Sequence, residues 1–222
     1  MWRRAAIAVI VLLALPYGLA LVYRFVPPPS TLMLWRYVQG LPVERVYVPL
    51  EQISPALVAA VVTSEDGGFC RHYGIDPGAI RDALRRAEER DDDVRGTSTI
   101  TQQTAKNLFL WQGRSWIRKG LEAPLALWLT LVWPKDRVIE VYLNMVEWGD
   151  GIFGVEAAAR HAFGVSATAL NTAQGALLAV ALPNPRQRDA RRPGVLHRRL
   201  AARLIARLQN GGANVQCVRR AR

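Results

Sequence analysis

SPALVAAVVTSEDGGFC, residues 54–70, joins a smooth apolar run to two adjacent acids and two glycines. Ser54 is a capping residue type, and Pro55 suits the first helical position. Val58, Val61, Val62 and Glu65 recur at three- and four-residue spacing, so they share one helix face. Gly67 and Gly68 stop the helix. The spacing thus predicts a helix whose apolar face ends in a carboxylate. The dipole is negative at that end and disfavours an ionised acid. Partial burial acts in the same direction, and both raise the pKa. A carboxyl tuned toward neutrality is suited to accept a proton. Asp66 is rotated off that face, free either to lie in a solvated turn or to brace His72 or the loop. An acid pair at a helix end is also what an ordinary solvated turn looks like, so the rest of the chain must decide.

Toward the amino terminus the chain reads MWRRAAIAVIVLLALPYGLALVYRFVPPPS. No charge occurs from Ala5 to Tyr23, and with Arg24 snorkelling the segment reaches Val26, enough to span a bilayer. Arg3 and Arg4 precede it, which places the amino terminus in the cytoplasm and the remainder outside the inner membrane. A cleaved signal peptide ending near the GLA of residues 18–20 is the rival reading. It is disfavoured because apolar residues continue through Val22. The expected organisation is a cytoplasmic tail (1–4), a transmembrane anchor (5–26), a linker segment (27–54), one domain (55–210) and a basic tail (211–222).

The 222 residues suit one domain with a sizeable core. The net charge is +11. Such a chain can bind nucleic acid, anionic lipid or a phosphorylated substrate. The expected topology argues against nucleic acid and for lipid head groups or a lipid phosphate. Cys70 and Cys217 form no recognised framework and cannot make a tetrahedral zinc site alone. Unpaired thiols are the expectation.

The body reads as mostly α. IDPGAIRDALRRAEER predicts a helix from near Pro77, followed by a loop holding Asp91, Asp92 and Asp93. STITQQTAKNLFLW and SWIRKGLEAPLALWLTLVWPKDRVIEVYLNMVEWG are helical by period, with Pro124 and Pro134 expected to divide the second. LALWLTLVW is too short to span a bilayer; it reads as a core helix, with a helix that leans on the bilayer as the alternative. GVEAAARHAFG and ATALNTAQGALLAVAL give two more helices. ERVYVPL, near Val46, is the best strand signal. In the tail, Leu196, Leu200, Leu204 and Leu208 recur every four residues among arginines, an amphipathic helix packed on the domain rather than on a membrane.

Two polar clusters carry candidate chemistry. In GTSTITQQTAKN, residues 96–107, eight side chains bear hydroxyls or amides. Thr99 and Gln102 fit a capping box, and amides at that helix start attract anions. Gln103, Lys106 and Asn107 follow on one side, so the segment can hold a sugar or a phosphate. It is not a P-loop, because the Gly-Lys-Ser/Thr ending is absent. In RKGLE, Arg118 and Lys119 share a helix face with Glu122. A surface ion-pair cluster is the plain reading. Against it, the bases precede the acid, the weaker orientation, and the flanking sequence is very apolar. The chain has three lysines, Lys106, Lys119 and Lys135, against twenty-six arginines, and each lies in a polar cluster. An ammonium is a compact point charge that arginine does not replace.

The ordered set EDGGFCRHYG, GTSTITQQTAKN, RKGLE, KDRVIEVYLN and GIFGVEAAA closely resembles the peptidoglycan glycosyltransferase family. That family includes the amino-terminal module of bifunctional penicillin-binding proteins and its monofunctional relatives. The resemblance covers roughly residues 27–185. No serine has a lysine three residues later, so the chain is similar to the monofunctional biosynthetic type. The resemblance implies a lysozyme-like, mostly helical domain with a smaller membrane-proximal jaw lobe. It implies that lipid II and the growing glycan chain are the substrates, with other cell-wall synthesis or division proteins as partners. Glu65 matches the family's general base and Glu122 its second acid, suited to position a donor group, a water or a divalent cation (Mg or Mn). No cofactor is demanded by the sequence and no metal ligand set is assigned. Lys106, Arg118 and Lys119 match positions suited to a pyrophosphate clamp. Ser98, Thr99, Gln102, Gln103 and Asn107 would hold sugars or phosphate oxygens. Glu140, Tyr142 and Asn144 are expected to brace the fold. Two other readings are a lytic murein hydrolase and a non-enzymatic anchored scaffold that binds cell-wall lipid.

Overall fold

A computed structural model describes residues 2–90, 97–113 and 115–218. The triple aspartate lies outside these. The chain is mostly α, as expected. Helix α1 (Trp2–Tyr23) is apolar and long enough to cross a membrane. Helix α2 (Thr31–Val38) is capped by Ser30 and buries Met33 and Arg36, so the segment read as a linker already packs on the domain. Next come strand β1 (Glu44–Arg45), α3 (Pro55–Glu65), α4 (Pro77–Arg90), α5 (Ile100–Phe109), α6 (Trp116–Val132) and α7 (Lys135–Met145). Strands β2 (Glu147–Gly149) and β3 (Ile152–Phe153) precede α8 (Val155–Phe163), α9 (Thr172–Ala181) and α10 (Val195–Gln209).

The core is built around α3, which lies against α9, with α10 covering both. Leu57, Ala60, Val61 and Val62 are buried with Ala176, Leu178 and Ala179. Gly175 lets the two helices approach closely: a Cβ there would sit 3.1 Å from Leu57 Cα. Of the α10 leucines, Leu204 is buried, Leu200 and Leu208 are half-buried against the core, and Leu196 is exposed. The arginine-rich helix therefore packs on the domain. Helix α5 packs against α6 and α7.

Several local expectations are corrected. Ser54 sits at the α3 cap position but its hydroxyl donates to Leu170 O (2.6 Å), so Pro55 alone sets the start. Pro124 does not divide α6, which runs unbroken to Val132. Proline removes one amide bond, and packing on α5 and α1 outweighs that loss. Pro134 does break the chain, between α6 and α7. The LALWLTLVW segment is one-sided rather than a core helix: Leu125, Ala126 and Leu129 are buried, Leu127 and Leu131 exposed. The strand signal near Val46 shrinks to Glu44–Arg45, which pairs in parallel with β3, while β2 pairs antiparallel to β3. Beyond it, Asn144 takes the place of a neighbouring strand: its side chain accepts from Val48 N (2.9 Å) and donates to Val48 O (2.8 Å). Glu140 accepts from Tyr47 Oη and Leu50 N. These two residues brace the fold as expected.

Cys70 and Cys217 are joined in a disulfide, with Cα atoms 5.5 Å apart, so the expectation of unpaired thiols is wrong. A separation of 147 residues leaves no local sequence signal; the return of α10 across α3 brings the cysteines together.

Helix α1 docks on the domain. Trp128 Nε1 donates to Tyr17 O (3.1 Å), Trp133 Nε1 to Ala20 O (2.7 Å), and Arg137 Nη2 to Tyr23 O (2.7 Å) and Val26 O (2.6 Å). The Tyr23 carbonyl lies at the end of α1, where an intrahelical donor is missing; those of Tyr17 and Ala20 gain a second donor from the domain.

Candidate active site

Glu65 is the last residue of α3, where the apolar face meets the loop that follows. Its Oε2 accepts from Gln103 Nε2 (3.0 Å), and Gln103 Oε1 accepts from Tyr142 Oη (3.1 Å). The tyrosine thus fixes which way the amide faces. Oε1 of Glu65 has no hydrogen-bond partner among the described residues. Burial pushes the Glu65 carboxyl above its ordinary value, and the neighbouring Asp66 charge adds to this. The Gln103 bond, Lys106 and Arg188 oppose the rise without reversing it. Burial, then the Glu65 and Asp66 carboxylates, hold the Tyr142 phenol protonated well above its ordinary range.

Asp66 is a brace. Both of its oxygens face His72 Nε2 (2.8 and 3.0 Å), and Oδ2 also accepts from Ile100 N (2.9 Å). The start of α5 is therefore filled by a protein carboxylate. Thr99 and Gln102 form the expected capping box, and Thr99 Oγ1 also donates to Gly74 O. Both are buried, with their polar groups turned to the backbone. They hold α5 in place, and Thr99 also borders the cleft that opens beside Glu65.

One helical turn after Gln103, Lys106 enters the same region. Burial lowers its pKa, Arg118 and Lys119 lower it further, and the Glu122 and Glu65 carboxylates oppose this. Lys106 forms no ion pair within 4 Å among the described residues, so its ammonium stands between the two acids without either neutralising it. Glu122 is only 2 % exposed. Its Oε2 accepts from Arg118 Nη1 (2.6 Å) and its Oε1 from Lys119 Nζ (2.8 Å). Lys119 Nζ also donates to Ser98 Oγ (2.8 Å). Three cations face one buried carboxylate, so the cluster is net positive. Each Glu122 oxygen thus holds one of the two cations. Asn107 lies toward α2 instead, its Oδ1 3.5 Å from Gln112 Nε2 and its carbonyl accepting from Thr31 Oγ1.

A cleft of about 370 Å³ opens beside Glu65, lined also by Asp66, Arg71, Asp76, Ser98 and Arg207. Ser98 links this cleft to the cation cluster. The fold thus brings Glu65, Gln103, Lys106, Arg118, Lys119, Glu122 and Ser98 into one region. Sequence reasoning missed Arg188, whose charge acts on Glu65 from the turn after α9, and the role of Tyr142 behind Gln103. Tyr142 is expected from the sequence only to brace the fold, and Arg188 is one of many arginines.

These features define a class of site: a carboxyl of raised pKa at a cleft beside a net-positive cluster. The transglycosylase family profile matches residues 35–209, and the chain belongs to that family. Similar proteins include one from Nitrobacter hamburgensis, 55% identical over 203 residues, covering 90% of this chain and 89% of the relative. Another, from Rhodopseudomonas palustris strain TIE-1, is 53% identical over 206 residues, covering 92% and 87%. A third, from Agrobacterium fabrum, is 49% identical over 218 residues, covering 97% and 96%. All three are named biosynthetic peptidoglycan transglycosylases.

Proposed function

We propose that this chain is a peptidoglycan glycosyltransferase that polymerises lipid II into β-1,4-linked glycan strands and releases undecaprenyl pyrophosphate. Glu65 is the general base. Gln103 holds its Oε2, leaving Oε1 to take the proton from the 4-hydroxyl of an incoming lipid II. That oxygen attacks the anomeric carbon of the growing chain from the face opposite the α-linked pyrophosphate. The configuration inverts as the pyrophosphate leaves with its bonding electrons. Lys106, Arg118 and Lys119 stabilise the charge that develops there. Glu122 sets the positions of Arg118 and Lys119 through two hydrogen bonds. Ser98 orients Lys119, and Gln103 orients Glu65. Thr99 and Gln102 act through the placement of α5, and Asn107 belongs to the approach from α2. The single α1 helix anchors the chain in the inner membrane, with the domain on the periplasmic side.

The observation that carries this reading is the adjacency of a proton acceptor tuned upward and an unneutralised lysine beside a paired cation cluster. A lytic hydrolase has no use for such a cluster, since its leaving group is a sugar oxygen that needs a proton. A scaffold has no use for Glu65. Purified protein incubated with labelled lipid II is expected to yield polymer and to release no fragments from sacculi. Fragments without polymer, or neither product, would refute the assignment.

A further inference from the structure

We infer that the carboxyl-terminal segment, residues 207–217, is a clamp that positions Glu65 for proton transfer, locked by the Cys70–Cys217 disulfide. The segment grips the chain on both sides of Glu65. Upstream, Thr63 is held twice. Its carbonyl, left without an intrahelical donor near the end of α3, accepts from Arg207 Nη2 (2.9 Å). Its Oγ1 accepts from Ala213 N (3.0 Å). Gly212 makes the approach feasible: its φ is +51°, and a Cβ there would stand 3.3 Å from Thr63 Oγ1. Downstream, Cys217 is bonded to Cys70. Ala213, Val215 and Cys217 pack half-buried against the core between these attachments. Arg207 also lines the cleft beside Glu65.

Glu65 stands at the point where α3 ends and the two-glycine turn begins. Asp66 ties the turn to α5 on one side through Ile100 N, and the tail ties it on the other. A base must stay within hydrogen-bond reach of the proton it removes, and a displacement of about 1 Å can cost about a hundredfold in rate. A disulfide that closes so long a loop also stabilises the fold by restricting the unfolded chain. A merely structural bond therefore changes the melting temperature and leaves the turnover of folded enzyme alone. A positioning bond changes turnover as well.

This inference rests on Glu65 being the base. The test uses full-length protein in detergent with labelled lipid II, at a temperature where oxidised and reduced forms both give native circular dichroism. Dithiothreitol supplies two electrons and two protons to the disulfide, leaving two thiols, and itself closes to a cyclic disulfide. In the reduced enzyme kcat is expected to fall about tenfold while KM stays within about twofold. Reoxidation restores kcat. A Cys70→Ser/Cys217→Ser double variant matches the reduced enzyme and does not respond to dithiothreitol. Folded reduced enzyme with kcat within about twofold of the oxidised form overturns the clamp. So do free thiols at both cysteines in protein isolated from membranes without reductant. If reduction unfolds the chain, Thr63→Val decides, since it removes the Ala213 attachment and leaves the disulfide. A loss of about threefold in kcat at constant KM is expected, and unchanged kcat overturns the clamp. Glu65→Gln separates the two ideas. An inactive Gln variant beside a reductant-insensitive enzyme overturns the clamp alone, whereas an active Gln variant overturns the base and the clamp with it.

Discussion

Glu122 is buried and Glu65 half-buried, both near cations, yet their partners assign them different chemistry. Glu122 has both oxygens bonded to cations, whereas Glu65 has one oxygen on Gln103 and one unpartnered among the described residues. Glu65→Gln is expected to reduce lipid II polymerisation by about a hundredfold or more, read by single-turnover kinetics. Its melting temperature should not fall at pH 8. The folded-state pKa of Glu65 is raised above the unfolded value, so its ionisation removes stability as pH climbs from the ordinary carboxylate value toward the raised one. The amide variant escapes that loss. A large drop in melting temperature, or near-normal turnover, would contradict the assignment. The acid limb of kcat/KM should lie above the ordinary carboxylate value of 4.5. Lys106→Ala and Lys119→Ala should each slow turnover by roughly tenfold to a thousandfold. Lys106 also pulls the Glu65 pKa down, so its removal should move the acid limb to higher pH. Arg198→Ala serves as the control, since Arg198 is exposed on α10 and bonds only Pro193 O among the described residues. Lysine variants that match it in rate would refute the clamp on the leaving group.

At the scale of elements, the site depends on how α3 and α5 meet. Asp66 follows α3 and receives the first amide of α5, which sets Gln103 opposite Glu65. Asp66→Asn keeps an acceptor near Ile100 N and should cost less activity than Glu65→Gln. Asp66→Ala leaves a buried amide and His72 without their partner, expected to remove about 1–3 kcal/mol of stability. Denaturant titration checks the stability, and polymerisation on the folded fraction checks the activity. An Asp66→Ala protein as stable as the parent would show that the α3–α5 junction is held elsewhere. Helix α6 makes a related point. By running through Pro124 without a break, it holds its amino-terminal cations and the Trp128 and Trp133 ends that grip α1 in one rigid element.

For the whole molecule, the anchor and the domain form one packed body. Removing an indole donor with little change of shape, as in Trp133→Phe, should cost about 1 kcal/mol and lower the melting temperature in detergent. An unchanged melting temperature would mean that α1 is only a tether. A reporter active only in the periplasm, fused after Arg222, should be active. A cytoplasmic signal, or a mature terminus near Leu21, would refute the topology. Cleavage there would also remove Tyr17 and Ala20, whose carbonyls the domain caps.

The sequence by itself determined the long apolar α1, most of the other helices, the α5 capping box, the acid at the end of α3 and the order of the motifs. Each follows from apolar period, cap chemistry or spacing within a few turns of chain. Only the tertiary structure decided which polar groups are open. Thr99 and Gln102 bond Gly74 and the α5 backbone, a set of partners that only the fold reveals in full. Glu122, buried, bonds Arg118 and Lys119 through one oxygen each. Arg188 and Tyr142 joined Glu65 from positions 123 and 77 residues away in the chain. The cysteines, 147 residues apart, pair for the same reason. Local forces choose a helix and its ends, whereas the partner of a buried polar group is chosen by whichever distant element the packing of the core delivers.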